Sequence, residues 1–109
     1  MATVYRVEKN GRGPYNSRAP EDEDFRWDLG WAHSNDYVHN PPIFDGITYF
    51  SNDWYSGFKS IQQYREWFDA HWRKELRDHG FILNRYEVDD ADIRYGDHQI
   101  VFRKDAVNT

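Results

Sequence analysis

The chain has no cysteine among its 109 residues. Disulfides and thiolate metal sites are therefore excluded, and the absence fits a reducing compartment. No apolar run approaches the roughly 20 residues a membrane-spanning helix needs. The opening Met1-Ala2-Thr3-Val4-Tyr5-Arg6 lacks the basic-then-apolar order of a secretory signal. A cytoplasmic location with no membrane association is the expectation. Positive charge is also scarce: 14 Lys and Arg stand against 19 Asp and Glu, for a formal net charge of -5. Binding nucleic acid by neutralising its phosphates calls for the opposite sign, so direct nucleic-acid binding is disfavoured. The acidic balance suits a partner with a basic surface, and equally suits solubility.

Hydrophobic residues make up 39% of the chain and 18% of the chain is aromatic, so the core must be built from rings more than from aliphatic chains. Each buried ring removes a large area from water, but Tyr and Trp need partners for their polar tips. The length fits a single domain, residues 1–109, burying roughly two-thirds of its unfolded surface.

Thr3 to Glu8 is β-branched and aromatic and reads as a strand, with Tyr5 and Val7 on one face and Val4 and Arg6 on the other. Asn10-Gly11-Arg12-Gly13-Pro14 ends it in turn formers. From there to about residue 45 no period is sustained. This stretch holds all four prolines, the acidic run Glu21-Asp22-Glu23-Asp24, and the rings Phe25, Trp27 and Trp31. An ordered long loop is expected, with a short helical turn near residues 25–31 and a strand around 46–51.

The clearest helical pattern begins at Ser60. Ser60 and Gln63 form a capping-box signature, and Ile61, Tyr64, Phe68, Trp72 and Leu76 recur at three- and four-residue steps. Asp69 lies four residues from both Arg65 and Arg73, and Gly80 supplies a stop. Residues 81–88, 93–95 and 98–103 read as extended pieces, and 105–109 as a tail. The expected fold is α+β: a small mixed or antiparallel sheet against one main amphipathic helix over about 60–79, with a long irregular loop region over about 10–45.

Few motifs carry chemistry. His33 and His39 lie six apart, and His71 and His79 eight apart; neither spacing puts two imidazoles on one metal, so surface or capping histidines and no metal site are expected. Gly11-Arg12-Gly13-Pro14 lacks the Lys-Ser/Thr of a phosphate loop; two glycines flanking an arginine could still approach a phosphate, but a turn is the expected role. No serine has a nucleophile-turn context. The most unusual local composition is Glu21, Asp22, Glu23 and Asp24 beside Phe25, Trp27 and Trp31. It reads either as a solvated loop or as a partner-facing patch, in which carboxylates meet basic residues and rings act as anchors.

The ordered set Val4-Tyr5-Arg6-Val7-Glu8, Gly13-Pro14-Tyr15, Gly57-Phe58-Lys59-Ser60 before a helix with Trp67-Phe68, Tyr86-Glu87-Val88 and Gln99-Ile100-Val101-Phe102 resembles small, mostly uncharacterised proteins of bacteriophages and prophages. The resemblance covers both ends and the helix but not residues 16–53. It implies an accessory protein in the cytoplasm of the bacterial host cell, where accessory phage proteins of this size often bind and block a host machine, including restriction and CRISPR-type effectors.

The same landmarks are similar to the core of the ADP-ribosyltransferase fold. That similarity implies an NAD site in which Arg6 contacts the dinucleotide and Ser60 helps hold the site together. Gln99 stands where the family has a glutamate that polarises the bond that breaks. Gln99 keeps the hydrogen-bonding shape but not the charge that stabilises an oxocarbenium-like transition state. Ile61 also departs from the family's serine motif, so a degenerate relic fits as well.

The leading expectation is thus a phage accessory protein that inhibits or redirects a host protein with a basic surface through residues 21–25, Trp27 and Trp31, without catalysis or cofactor. The alternatives are an NAD-using enzyme or relic with Arg6, Ser60 and Gln99 as candidates, and an acidic nucleic-acid mimic.

Overall fold

The computed structural model of the chain describes residues 1–17, 19–33, 39, 42, 45–47 and 53–107. The first strand, β1, runs Ala2–Glu8 and pairs antiparallel with β3, Ile82–Val88, in a register that sets Arg6 opposite Asn84 and Val4 opposite Tyr86. A second sheet has β5, Ile100–Arg103, at its centre, with β2, Trp54–Gly57, on one side and β4, Ile93–Tyr95, on the other, both antiparallel. One antiparallel bridge joins the two sheets. Tyr5 and Phe58 exchange both backbone hydrogen bonds, at 2.8 and 2.7 Å. Gly57 makes this approach possible, because a Cβ there would lie 2.4 Å from the Tyr5 carbonyl oxygen and 2.9 Å from the Phe102 ring.

The stretch expected as irregular loop contains a helix, α1, Glu23–His33. Pro20 opens a short 3-10 turn ahead of it, and Glu23 and Asp24 place carboxylates in its first turn, where the helix dipole favours them. Phe25, Leu29 and His33, four apart, are buried; Trp27 and Trp31 point the other way. Of the strand expected over 46–51, Gly46 lies in a turn and residues 48–51 lie outside the described residues.

The helix expected over 60–79 is two helices, α2, Ile61–Trp67, and α3, Ala70–Asp78. Its start is as expected: Ser60 Oγ accepts the Gln63 N–H at 3.0 Å, and Gln63 Oε1 accepts the Lys59 N–H at 2.9 Å. The break falls at Phe68, extended at φ -112° and ψ 111° and only 2% exposed in the core. Asp69 then caps α3, its Oδ1 accepting the Trp72 N–H at 3.0 Å. The expected ion pairs of Asp69 with Arg65 and Arg73 give way to that cap, and Arg73 Nη1 donates to the Phe68 carbonyl at 2.8 Å. Gly80, at φ +85°, ends α3, with its N–H on the Arg77 carbonyl and that of Phe81 on the Leu76 carbonyl.

Among the described residues most of the buried apolar side chains fall in two clusters. The helices and the edge of β1 bury Val7, Phe25, Leu29, Phe58, Trp67, Phe68, Leu76 and Phe81, a cluster dominated by rings. Beneath the sheets lie Val4, Val88, Ile93, Ile100 and Phe102, mostly aliphatic. Among the described residues no helix is long and apolar enough to cross a membrane.

Candidate functional site

The bridge between the sheets and the inner face of α1 enclose a cleft of about 570 Å³, within the size range of small-molecule sites. Its charged wall begins on β1. Arg6 is 7% exposed and follows Val4 on one strand face, two residues before Glu8. Its Nε donates to Glu8 Oε2 at 3.0 Å, its Nη1 donates to the Ser56 carbonyl at 2.9 Å, and its guanidinium lies 4.1 Å from the centre of the Tyr55 ring. Glu8 Oε1 accepts from Asn84 Nδ2 and the Tyr86 hydroxyl, both on β3. Lys104 brings a second cation to the same ring, its Nζ 5.2 Å from the Tyr55 centre, while its backbone N–H holds the Asp53 carbonyl at 2.8 Å.

A chain of rings also lines the cleft. Trp67 Nε1 donates to the Tyr15 hydroxyl oxygen at 2.9 Å, and that hydroxyl stands 2.5 Å from His33 Nδ1. The indole N–H fills one acceptor position of the hydroxyl, leaving its own proton for the imidazole. His33 stacks on His39 with ring centres 3.7 Å apart and planes 6° apart, and His39 Nε2 donates to the Trp67 carbonyl at 2.5 Å. The expectation of surface or capping histidines therefore fails at His33, which is buried because Tyr15, Phe68 and Trp72 close around it. Parallel imidazoles present faces to each other, not the in-plane lone pairs a shared metal would need. Among the described residues no group of three or more His, Asp and Glu side chains gathers as a metal site would require.

Burial raises the hydroxyl pKa of Tyr15, Tyr64 and Tyr86, most of all at Tyr15 and Tyr86. Burial, with the hydrogen bond to Glu8 adding to it, pushes the Tyr86 hydroxyl up to about 12, and burial raises Tyr15 further. A raised folded-state value means stability is intact below the ordinary tyrosine pKa near 10 and is lost as pH climbs past it. Folding stability is expected to fall between about pH 10 and 12, and spectrophotometric titration should find tyrosinate from these two only as the fold opens. Tyrosinate forming at both near pH 10 with the fold intact would contradict the placement.

The residues singled out from sequence fall in four places. Arg6 and Gln99 both line the cleft; Ser60 does not, its Oγ being engaged as the cap of α2. Of the acidic and aromatic run, Glu21, Glu23, Asp24, Trp27 and Trp31 are exposed. Asp22 and Phe25 turn inward. Asp22 is fully buried, with Ser17 Oγ at 2.6 Å, Lys9 Nζ at 2.8 Å and His79 Nδ1 at 2.9 Å, and Phe25 stacks on His79 with centres 4.4 Å apart. Burial alone would raise the Asp22 carboxyl, but the hydrogen bonds from Lys9, Ser17 and His79 outweigh it and bring its pKa to about 2. Sequence reasoning missed β2, which supplies Tyr55 and the Ser56 carbonyl, and Lys104, whose position carries no local motif.

Together these features define a small α+β protein with a cation- and ring-walled cleft on one side of α1 and an exposed tryptophan face on the other. The chain belongs to the Bacteriophage T4 Y00F protein family, whose model matches residues 1–109. It is similar to the uncharacterized 19.7 kDa protein in the motB-dexA intergenic region of Enterobacteria phage T4, at 37% identity over 73 residues. That match covers 63% of this chain and 40% of the T4 protein, so the chain spans well under half the length of this curated relative. No solved structure matches. The phage-protein resemblance read from the sequence is thus established as family membership.

Proposed function

We propose that this phage protein docks onto a basic surface of a host protein through the outer face of α1, and by occupying that surface inhibits or redirects the host protein without catalysis. One observation carries the reading. Trp27 and Trp31, one helical turn apart, are 68% and 77% exposed. Asp24 and Asp28 lie on the same outer face, and Glu23 and Glu21 are exposed nearby. Glu21 is partly drawn to Lys9 at 3.6 Å; the other three carboxylates make no ion pair among the described residues. Each Trp ring would remove roughly 150–250 Å² from water on docking, and tryptophans at hot spots cost about 2 kcal/mol or more when truncated. The carboxylates fix the sign of the partner and speed the encounter.

The enzyme alternative draws on Arg6 and Gln99 sharing the cleft, whereas Ser60 stands apart as a helix cap. Mimicry of nucleic acid would want the acidic run displayed as an array, and Asp22 is withdrawn from it into the interior. The docking reading therefore has the broader support.

The test is capture from host lysate by the wild-type chain and by a Trp27→Ser/Trp31→Ser variant. Both substitutions sit on the exposed face, so folding should be preserved, as a matching thermal midpoint will verify. A host protein that is retained by the wild type and lost by the variant is the expected result. Equal retention of the same proteins by both would remove α1 from the interface.

A further inference from the structure

We propose that the cleft binds a phosphomonoester carried on a planar ring, a small molecule of the mononucleotide type. The site is distinct from the docking face: His33 and Gly30 of α1 line the cleft, and Trp27 and Trp31 do not. Arg6 is the starting point. Two of its three guanidinium nitrogens are committed, Nε to Glu8 and Nη1 to the Ser56 carbonyl, while Nη2 makes no hydrogen bond or ion pair among the described residues. Nη2 lies beside Gly13, where a Cβ would approach it to 3.7 Å, so the absence of a side chain leaves the guanidinium edge uncovered.

Lys104 Nζ is the second cation over the Tyr55 ring, and it makes no ion pair among the described residues. In a chain of net charge -5, two cations meet at one ring, and Glu8 is the only carboxylate among the described residues bonded to either. The local sign is thereby reversed. A buried arginine that served only to neutralise Glu8 would not need its third nitrogen turned toward space. Glu8 is moreover satisfied from the other side by Asn84 and Tyr86.

The charge suits a phosphate terminus. A phosphomonoester carries about two negative charges near neutral pH and three strong acceptor oxygens. Arginine presents a planar fork to such a group and lysine a point charge. The cleft is also lined by the rings of Tyr15, His39 and Trp67, against which a flat base can lie. A nucleoside would forgo the cations, inorganic phosphate would forgo the rings, and a dinucleotide joined through its phosphates has no dianionic terminus to offer.

Calorimetry or ligand-observed NMR on the full chain, with AMP, GMP, CMP and UMP against adenosine, inorganic phosphate and NAD, tests this. At least one monophosphate should bind about tenfold or more tightly than adenosine, phosphate and NAD. Lys104→Gln should weaken that binding about tenfold with the thermal midpoint unchanged, and Lys104→Arg should retain it. Phosphate binding as tightly as the best monophosphate would show the rings idle; adenosine doing so would show the cations idle. Tighter binding of NAD, unchanged affinity in Lys104→Gln, or no monophosphate binding at millimolar concentration would each overturn the proposal.

Discussion

Gly57→Ala is expected to destabilise the chain by about 3 kcal/mol or more, at or beyond the upper end of what overpacking usually costs. The added methyl would stand 2.4 Å from a backbone oxygen on β1 and 2.9 Å from the Phe102 ring. The oxygen cannot yield without breaking the exchange of hydrogen bonds between Tyr5 and Phe58, the bridge that joins the two sheets. Phe102 cannot yield easily either, being fully buried in the aliphatic cluster. Chemical denaturation is the measurement, with Gly30→Ala as its control. A Cβ at Gly30 meets nothing within 4 Å, and alanine in a helix interior is favoured over glycine by about 1 kcal/mol. The control should be stabilised while Gly57→Ala is strongly destabilised. An unfolding midpoint for Gly57→Ala equal to wild type would mean that the sheets do not meet as described.

Removing the Asp22 carboxylate is expected to cost a comparable amount. It touches the end of β1 through Lys9, the approach to α1 through Ser17 and the end of α3 through His79. Breaking a buried, paired charge typically costs about 3–5 kcal/mol, because the partners are left without compensation. Asp22→Ala should fall in that range by denaturant unfolding, and it should loosen α1, which Asp22 ties down. The same group sets an acid limit. With a pKa lowered from 3.8 to about 2, its contribution is complete above about pH 4 and is lost as pH falls toward 2. A carboxyl held that far below its ordinary value contributes roughly 2–3 kcal/mol, which acid removes. In Asp22→Asn that acid-dependent loss should largely disappear. A stability profile between pH 5 and about 2 with the same slope in both proteins would contradict the role given to Asp22.

The parts of the fold legible in the sequence are those governed by contacts close in the chain. The extended runs of β1 and β3, the cap at Ser60 and the stop at Gly80 are each specified within a few residues, and each is found where expected. The break at Phe68 was not legible. Phe68 and Asp69 fit a continuous helix in stripe and charge spacing, and only the core's demand for the Phe68 ring makes Asp69 a cap instead of an ion-pair partner. Helix α1 was obscured for a different reason. Phe25, Trp27, Leu29 and Trp31 are spaced by two, a pattern with no helical period. The helix sorts them onto two faces, burying Phe25 and Leu29 and exposing the tryptophans. The pattern that hid the helix is the mark of its unusual outer face.

The cleft was legible only in fragments. Arg6 and Gln99 stood out by resemblance to a known fold, yet the Tyr55 ring and the Ser56 carbonyl come from β2, whose place is fixed by pairing with β5, and Lys104 from the turn that directly follows β5. The stacking of His33 on His39 depends on a chain path that no spacing rule encodes. Likewise, nothing in the run Glu21-Asp22-Glu23-Asp24 distinguishes Asp22 from its neighbours until three partners converge on it from elsewhere in the chain.

The most direct test of the docking face is a binding isotherm with the purified host protein identified by capture, recorded for the wild-type chain and for Trp27→Ser/Trp31→Ser at low and high salt. Loss of two hot-spot tryptophans should weaken binding at least about 100-fold. The wild-type affinity should also fall as salt screens the carboxylates of α1 from a basic partner. Isotherms that coincide for the two proteins, or a wild-type affinity indifferent to salt, would contradict a docking face built on α1.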